Sequence, residues 1–419
     1  MEQIKLLVKN AGQNDPESLE QYLARGGYEA LKSAARGCNG ADIIEILSAS
    51  GLVGRSGSGF PVGKKWAVTL EKEAPQKYVI CNADEGEPGT CKDRLLLMEH
   101  PHAVIEGIVI AGVTVGATRG YIYIRGEYDA AAHIFSEAVN EARSAGYLGC
   151  HICGSGYDFQ LEIRRGAGAY MCGEETALLE SIEGRRGETR IKPPYPGEAG
   201  LWGMPTVINN VETMANIPLV LTMGAEKYRT CGTGSSTGTK LVTLCGCIRN
   251  PGVYEVPFGT SIRSLFLDIG GGCPEGKKLR AVQTGGLSGP IMSVDVLDTP
   301  FDIAGCNAAG AFLGTGDLIF IDEATDLAGL LVNIMEFFME ESCGRCVPCR
   351  IGIHTLVELL RALASGTADI DTLRQIESIA LHIRQTARCA FGTASVTPVL
   401  SALESFYDLL TSCVEKEVV

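Results

Sequence analysis

The alternation of apolar and polar positions changes its period several times along the chain. Spaced apolar residues from Pro16 to Ala35 predict a short helix, and Asn39 followed by Asp42 predicts a second, capped helix over 41–50 that stops at Gly51. A glycine-dense loop over 54–61 follows, and the run Tyr78-Val79-Ile80-Cys81-Asn82 predicts a strand. A helical pattern of about 25 residues then leads to a second strand at 121–124 and a further helix over 128–145. This βαβα order implies a parallel sheet whose ligands sit outside the carboxyl ends of its strands. Between Lys240 and Asp322 the texture changes to short strands, at 241–244 and 253–257, around the turn Asn250-Pro251-Gly252, with one short helix near 261–269. That segment reads as a small α+β domain. After Asp326, four stretches of helical length, 327–339, 354–364, 370–385 and 396–410, predict a bundle. Three domains are therefore expected, over 1–238, 239–323 and 324–419.

Composition narrows the classes of function. With 419 residues, 36 Lys plus Arg against 50 Asp plus Glu, a net charge of −14 and no basic run, the chain is not built to neutralise a nucleic-acid backbone. The longest apolar stretch, 103–117, is interrupted by Glu106 and is shorter than the roughly 20 residues a bilayer requires. A buried helix is expected there, without direct membrane insertion. Sixteen cysteines are too sparse for a disulfide scaffold, and the polar opening Met-Glu-Gln-Ile-Lys carries no signal pattern, so a reducing, cytoplasmic setting is expected.

The sharpest chemistry lies in Ser342-Cys343-Gly344-Arg345-Cys346-Val347-Pro348-Cys349-Arg350, where three cysteines are separated by two residues each, with Cys389 following in Arg-Cys-Ala-Phe-Gly. Three thiolates in one short segment and a remote fourth match a 4Fe-4S cluster, in which each iron takes one cysteine. Zinc is the first rival, although its structural sites usually gather two separated pairs, and no second pair accompanies Cys389. Four unrelated core thiols are the bland alternative. Cys150-His151-Ile152-Cys153 and Cys245-Gly246-Cys247 have metal-like spacing without a completing pair, and read more simply as core or surface thiols.

A cluster moves electrons singly, so a hydride donor would need a flavin between. The loop Gly54-Arg55-Ser56-Gly57-Ser58-Gly59-Phe60-Pro61 fits neither the dinucleotide fingerprint nor the P-loop, and taken alone it is better explained as a flexible turn. Its bare backbone and the nearby Arg55, Lys64 and Lys65 nevertheless suit a planar ring or a phosphate. The stretch Gly166 to Ala177 puts glycines ahead of a helix starting near Glu174, whose free N–H groups suit a phosphate, and Asn209-Asn210 offer two consecutive amides or an ordinary helix cap.

In their order, the segments 54–66, Cys81-Asn82-Ala83-Asp84-Glu85-Gly86-Glu87-Pro88-Gly89, 166–179, Lys192-Pro193-Pro194-Tyr195-Pro196, Leu201-Trp202-Gly203, Asn209-Asn210-Val211-Glu212-Thr213 and 342–350 closely resemble the flavoprotein subunit of respiratory complex I. They equally resemble the homologous diaphorase subunits of NAD-linked or electron-bifurcating hydrogenases and formate dehydrogenases. The resemblance spans nearly the whole chain. It implies a Rossmann-like FMN/NADH domain, a small ubiquitin-like (β-grasp) domain and a helical bundle with a 4Fe-4S cluster, the cofactors being FMN, the cluster and NAD(H). The activity it implies is hydride transfer between NADH and FMN, followed by electron transfer to partner chains. Carried over residue by residue, Gly54, Arg55, Gly57, Lys65, Asn82, Asp84, Glu85, Tyr170, Gly173, Glu174, Glu175, Asn209 and Asn210 would hold FMN. Glu87 would bind the nicotinamide carboxamide, Phe60, Lys192 and Tyr195 would clamp the adenosine half, and Cys343, Cys346, Cys349 and Cys389 would hold the cluster. The implied partners are a small thioredoxin-like 2Fe-2S subunit and a larger iron-sulfur or catalytic subunit. Ser56 and Ser58 replace a usual Gly and Ala, and Val68 stands where an aromatic often stacks on adenine, so a scaffold without NADH turnover is the competing reading.

Overall fold

The computed structural model describes residues 5–8, 16–37 and 39–414. Contacts divide them into two units: one runs to Gly86 and includes Thr90–Val242 and Val253–Gly259, and the other comprises Glu87–Gly89, Thr243–Gly252 and the chain from Thr260 on.

The first unit is built on four parallel strands, β1 (Tyr78–Ala83), β2 (Arg119–Ile124), β3 (Gln160–Arg165) and β4 (Thr206–Asn210), in the order β3-β2-β1-β4. The β-branched and aromatic centres of β1, β2 and β4 are almost wholly buried, as expected for a parallel sheet covered on both faces, while the edge strand β3 buries only Leu161. The chain winds outward from β1 through β2 to β3 and then returns to β1's other side with β4. Strand order therefore reverses between β1 and β4, where Asn82 stands in register with Asn210 and Cys81 with Asn209. This is the switch point at which open α/β sheets bind ligands.

Local signals explain most helices. Asn39 caps Gly40–Ser50 and Gly51 ends it in the left-handed conformation. The opening segment holds two helices where one was expected, Leu19–Ala24 and Glu29–Gly37, because Gly26-Gly27 interrupts the pattern. Likewise the single helix expected between β1 and β2 is two, Lys92–Glu99 and Pro101–Val115, bent by 97°. Pro101 cannot donate the bond that would continue the first helix. The apolar run is buried on nearly all sides, and the Glu106 that interrupts it accepts from the Tyr22 hydroxyl at 2.5 Å, Tyr28 N at 2.9 Å and Leu31 N at 3.0 Å. Among the described residues no single helix is long and apolar enough to cross a membrane.

Five strands form a second, mixed sheet: β5 (Thr239–Gly246), β6 (Gly252–Pro257), β7 (Leu279–Thr284), β8 (Ile291–Ser293) and β9 (Asp317–Asp322), in the order β6-β5-β9-β7-β8. β5 and β9 are parallel, while β7 runs antiparallel to both β8 and β9. The C-terminal helices of the second unit are Leu327–Glu341, Val347–Ala364, Ile370–Thr386, Ala390–Ser395 and Thr397–Thr411. Ile353, Leu356, Val357 and Leu360 form a buried stripe at helical spacing, as do Leu373, Ile376, Ala380 and Ile383. The second of these helices starts at Val347 and not near 354, so the cysteine motif is partly helical.

Candidate functional site

In the first unit, four separate segments meet at the carboxyl ends of β1 and β4. Asn82, at the end of β1, accepts from Asp84 N (3.0 Å) through Oδ1 and donates to the Gly173 carbonyl (2.8 Å) through Nδ2. Trp66 Nε1 donates to Asn209 Oδ1 (2.8 Å), tying the helix Val62–Glu71 to β4. Lys65 Nζ, one residue earlier on that helix, lies 3.0 Å from Glu175. Asn210 caps the helix Val211–Met223, its Oδ1 accepting from Glu212 N (3.0 Å) and from Lys92 Nζ (3.2 Å).

The charges of this site are balanced internally. Glu174 caps the helix Glu175–Ile182 by accepting from Thr176 N (2.8 Å) and Ala177 N (3.0 Å), and its second oxygen lies 3.0 Å from Lys192 Nζ. Glu175 stands 3.0 Å from both Lys65 and Lys192. Burial alone would raise the Glu175 carboxyl, but the two ammonium groups hold it below its ordinary value. Lys192 is held up in turn: burial works against its charge, and Glu175 and Glu174 outweigh burial.

The flanking apolar groups are unusually open. Phe60 is 51% exposed, Tyr195 56% and Val68 40%, and Val68 lies against the segment after Tyr195, since a Cβ on Gly197 would come within 3.2 Å of its Cγ1. Exposed ring faces beside paired charges and bare backbone suit a planar ligand with an anionic end. Gly54 N donates to the Phe60 carbonyl (2.9 Å), closing the glycine loop, in which Gly57 takes a left-handed φ of 117°. Tyr170 begins the turn Tyr170–Gly173 and packs against Gly86. Asp84 is buried beside Gly173.

Two expected site residues behave differently from a ligand cradle. The Arg55 guanidinium is buried, donates to the Val53 and Thr237 carbonyls (3.1 and 2.8 Å) and the Tyr228 hydroxyl (3.0 Å), and lies 4.7 Å from the centre of the Phe258 ring. It anchors the loop from behind through its two terminal nitrogens, while its buried Nε has no hydrogen-bond partner among the described residues. Glu87 belongs to the second unit and not to the first, and there it accepts from Ser288 N (3.2 Å).

Beneath the asparagines lies a buried charge network of which the sequence motifs include only Glu212. Glu212, fully buried, stands 2.5 Å from Lys240 Nζ and 3.1 Å from Lys92 Nζ, and Lys92 is 2.7 Å from Asp93. Burial raises the Glu212 carboxyl, but Lys240, Lys92 and Arg55 together hold it below its usual range. Glu85 accepts from Asp93 N, Arg94 N and the Tyr128 hydroxyl at 2.9–3.0 Å, yet burial, with Asp93 adding, pushes it up to about 7. The adjacent charges Lys92-Asp93, in a segment otherwise heading into the core, were the available signal.

In the second unit the four expected cysteines share one neighbourhood. Cys343 lies in the loop, Cys346 is the N-cap of Val347–Ala364, Cys349 sits in its first turn and Cys389 is the N-cap of Ala390–Ser395. The helix expected over 354–364 thus begins earlier, inside the cysteine motif, because Pro348 at the second helical position suits a helix start. Gly344, at φ 74°, turns the chain, and Ser342 Oγ lies 3.2 Å from Cys349 Sγ. Gly392 allows the close approach of the Cys389 segment, since a Cβ there would stand 3.7 Å from Cys349 Sγ and 2.6 Å from the Ala387 Cβ. The Cys349 thiol is pushed up to about 11, by burial first and then by the proximity of Cys346, Cys389 and Cys343. No group of three Cys, His, Asp or Glu side chains among the described residues stands at ion-holding distance. The donor set is nevertheless all sulfur, as an iron-sulfur cluster requires.

Comparison with known proteins agrees with both regions. Residues 47–219 match the Nuo51 FMN-binding domain, and residues 329–412 match the NADH-ubiquinone oxidoreductase-F iron-sulfur binding region. The chain is 44% identical to the HndC subunit of the NADP-reducing hydrogenase of Solidesulfovibrio fructosivorans, over 96% of this chain and 82% of that protein. It is 43% identical to the F 2 subunit of the NADH-quinone oxidoreductase of Rhizobium meliloti (strain 1021), over 96% and 95%. Among solved structures it resembles a chain of the NAD+-reducing NiFe-hydrogenase in the H2-reduced state, with a TM-score of 0.86 and 33% identity, over 97% of this chain and 68% of that one.

Proposed function

The chain belongs to the family of NADH-quinone oxidoreductase F subunits and their hydrogenase counterparts, and from that premise we propose how its residues carry out the family's reaction. It is an oxidoreductase module with an FMN-binding domain and a 4Fe-4S region, working in a multi-subunit complex. The competing reading, a scaffold without NADH turnover, is not favoured by this membership. The chemistry FMN would supply when bound is the conversion of a hydride from NADH into single electrons for the 4Fe-4S cluster.

The observation that carries the assignment is the convergence of the glycine loop, the end of β1, the segment 170–175 and Asn209-Asn210 at the switch point. In our reading, backbone at Gly54, Gly57 and Gly173, with Asn82, Asp84, Glu85, Tyr170, Asn209 and Asn210, forms the flavin cradle. Lys65 and Lys192 supply positive charge and are held in place by Glu174 and Glu175. Arg55 keeps the loop in shape from behind. Phe60 and Tyr195 offer open ring faces for the adenosine half of NADH. No acid or base has to act on the substrate, because positioning supplies the rate enhancement. Cys343, Cys346, Cys349 and Cys389 ligate the cluster.

The second sheet supports a β-grasp reading of the segment over 239–323, since its five strands lie in the order second, first, fifth, third, fourth, with first and fifth parallel. The chain's likeness to hydrogenase and quinone-reductase subunits supports partners that carry further iron-sulfur centres, including a small thioredoxin-like 2Fe-2S chain, and a cytoplasmic location peripheral to any membrane. The test uses the full chain prepared without oxygen and reconstituted with FMN and iron-sulfide. Cys389→Ser should lose or convert the paramagnetic signal of the reduced cluster while NADH still bleaches the flavin band. A normal 4Fe-4S spectrum in that variant would overturn the ligand assignment, and an unbleached flavin in the parent chain would overturn the NADH reading.

A further inference from the structure

The turn at the head of the cysteine motif is held on both sides of Gly344. Gly344 N donates to Ser342 Oγ (3.2 Å), and the Gly344 carbonyl accepts from Arg350 Nη1 (3.2 Å). Between those two contacts the chain reverses at a φ of 74°. Ser342 is the C-cap of the helix Leu327–Glu341, and its Oγ lies 3.2 Å from the sulfur of Cys349, the one buried member of the four cysteines assigned to the cluster. A hydroxyl has one proton and two lone pairs. The Gly344 N–H occupies a lone pair of Ser342, and a cysteine that ligates iron is a thiolate with no proton to give. The contact therefore has a single direction once the cluster is ligated: Ser342 donates and Cys349 accepts.

We propose that Ser342 is a positioning residue of the cluster: its hydroxyl aims one hydrogen bond at the Cys349 sulfur and thereby raises the reduction potential of the 4Fe-4S centre. The inference rests on the reading of Cys349 as a ligand. Reduction adds one electron, whose charge spreads over the ligand sulfurs, and a hydrogen bond strengthens as its acceptor becomes more negative. The reduced state is thus stabilised more than the oxidised one, and the centre accepts an electron more readily. Burial magnifies the effect at this sulfur, because in a low dielectric the bond is stronger and water is not at hand to replace it. Cys343, Cys346 and Cys389 are only partly buried, so solvent can reach their side of the cluster. Cys349 has to take its donor from the protein, and the serine that opens the motif supplies it.

The experiment is a redox titration, followed by the paramagnetic signal of the reduced cluster, on the anaerobic full chain reconstituted with FMN and iron-sulfide and on Ser342→Ala, Ser342→Thr and Ser342→Val. Ser342→Ala should lower the ratio of reduced to oxidised cluster at a fixed potential by about tenfold, which for one electron is a midpoint about 59 mV more negative. Ser342→Thr keeps the hydroxyl and should titrate close to the parent, whereas Ser342→Val, which matches threonine in shape without the hydroxyl, should follow Ser342→Ala. Ratios in the Ala and Val variants within about twofold of the parent would overturn the proposal. Equal shifts in Thr and Val would overturn it too, because they would report packing and not the hydrogen bond. Loss of the cluster from Ala and Val alike, with Thr intact, would also overturn it by making the hydroxyl a requirement of assembly. A parent chain without a 4Fe-4S signal would overturn the ligand assignment itself, and the inference with it.

Discussion

Replacing Glu212 with Gln removes one negative charge from a place where two ammonium groups and no water-exposed surface adjoin it. Lys240 stands 2.5 Å away and Lys92 3.1 Å away, all three side chains being at most 1% exposed. The amide oxygen can still accept from Leu241 N, now 2.8 Å from the carboxylate, so the change isolates the charge. Lys92 retains Asp93 at 2.7 Å, but Lys240 loses its carboxylate partner. Breaking a buried pair by removing one partner typically costs about 3–5 kcal/mol, against total stabilities of about 5–15 kcal/mol. With a urea slope of about 3 kcal/mol per molar, the midpoint should fall by about 1–1.7 M. Trp66 and Trp202, the chain's two tryptophans, both lie in the first unit, so fluorescence reports the affected unit directly. FMN retention should weaken as well, because Lys92 also holds Asn210. The double variant Glu212→Leu, Lys240→Met, which exchanges the pair for apolar groups, should recover a large part of the loss. A Glu212→Gln midpoint within about 0.3 M of the parent would refute the reasoning, since the charges would then not depend on one another as the buried geometry requires.

Two further outcomes follow from the same site. Glu85 is raised from 4.5 to about 7 in the folded chain, so folding binds a proton between those values and stability should decline as pH rises through that window; in Glu85→Gln the urea midpoint should be flatter there, and an unchanged pH slope would contradict the burial argument. Tyr195→Ala should raise the KM for NADH by about 2- to 12-fold, the value of one aromatic stack, with kcat little changed, because the ring binds the half of the substrate that does not react. Steady-state kinetics with an artificial acceptor reads this directly, and an unaltered KM would remove Tyr195 from the clamp.

Local signals carried much of the fold. Asn39 and Gly51 marked both ends of one helix, and the β-branched centres of β1 and β2 marked a buried parallel sheet. What the periodicity could not convey was direction: the apolar pattern is continuous across His100-Pro101, while the chain there turns through 97°. The proposed site residues stand out as motifs because bare glycines, paired amides and cysteine spacing can be read without knowledge of the fold. Their division of labour cannot. Arg55 looks like a phosphate ligand in the sequence because it sits among glycines, yet it is the distant Tyr228, Thr237 and Phe258 that claim it. The Lys92-Asp93-Glu212-Lys240 network shows in the sequence as paired charges only at the adjacent Lys92-Asp93, since Glu212 and Lys240 lie far along the chain from them and become their neighbours only in the fold.

The lysine–glutamate chain of Lys65, Glu175, Lys192 and Glu174 gives the cradle a counter-ion of its own. In the proposed cradle a phosphate would compete with a carboxylate instead of quenching a bare cation, so uptake and departure would both trade one salt partner for another. The chain can thus exist without its coenzyme at little electrostatic penalty, and the ionic strength of the medium should have only a shallow effect on how firmly the coenzyme is held.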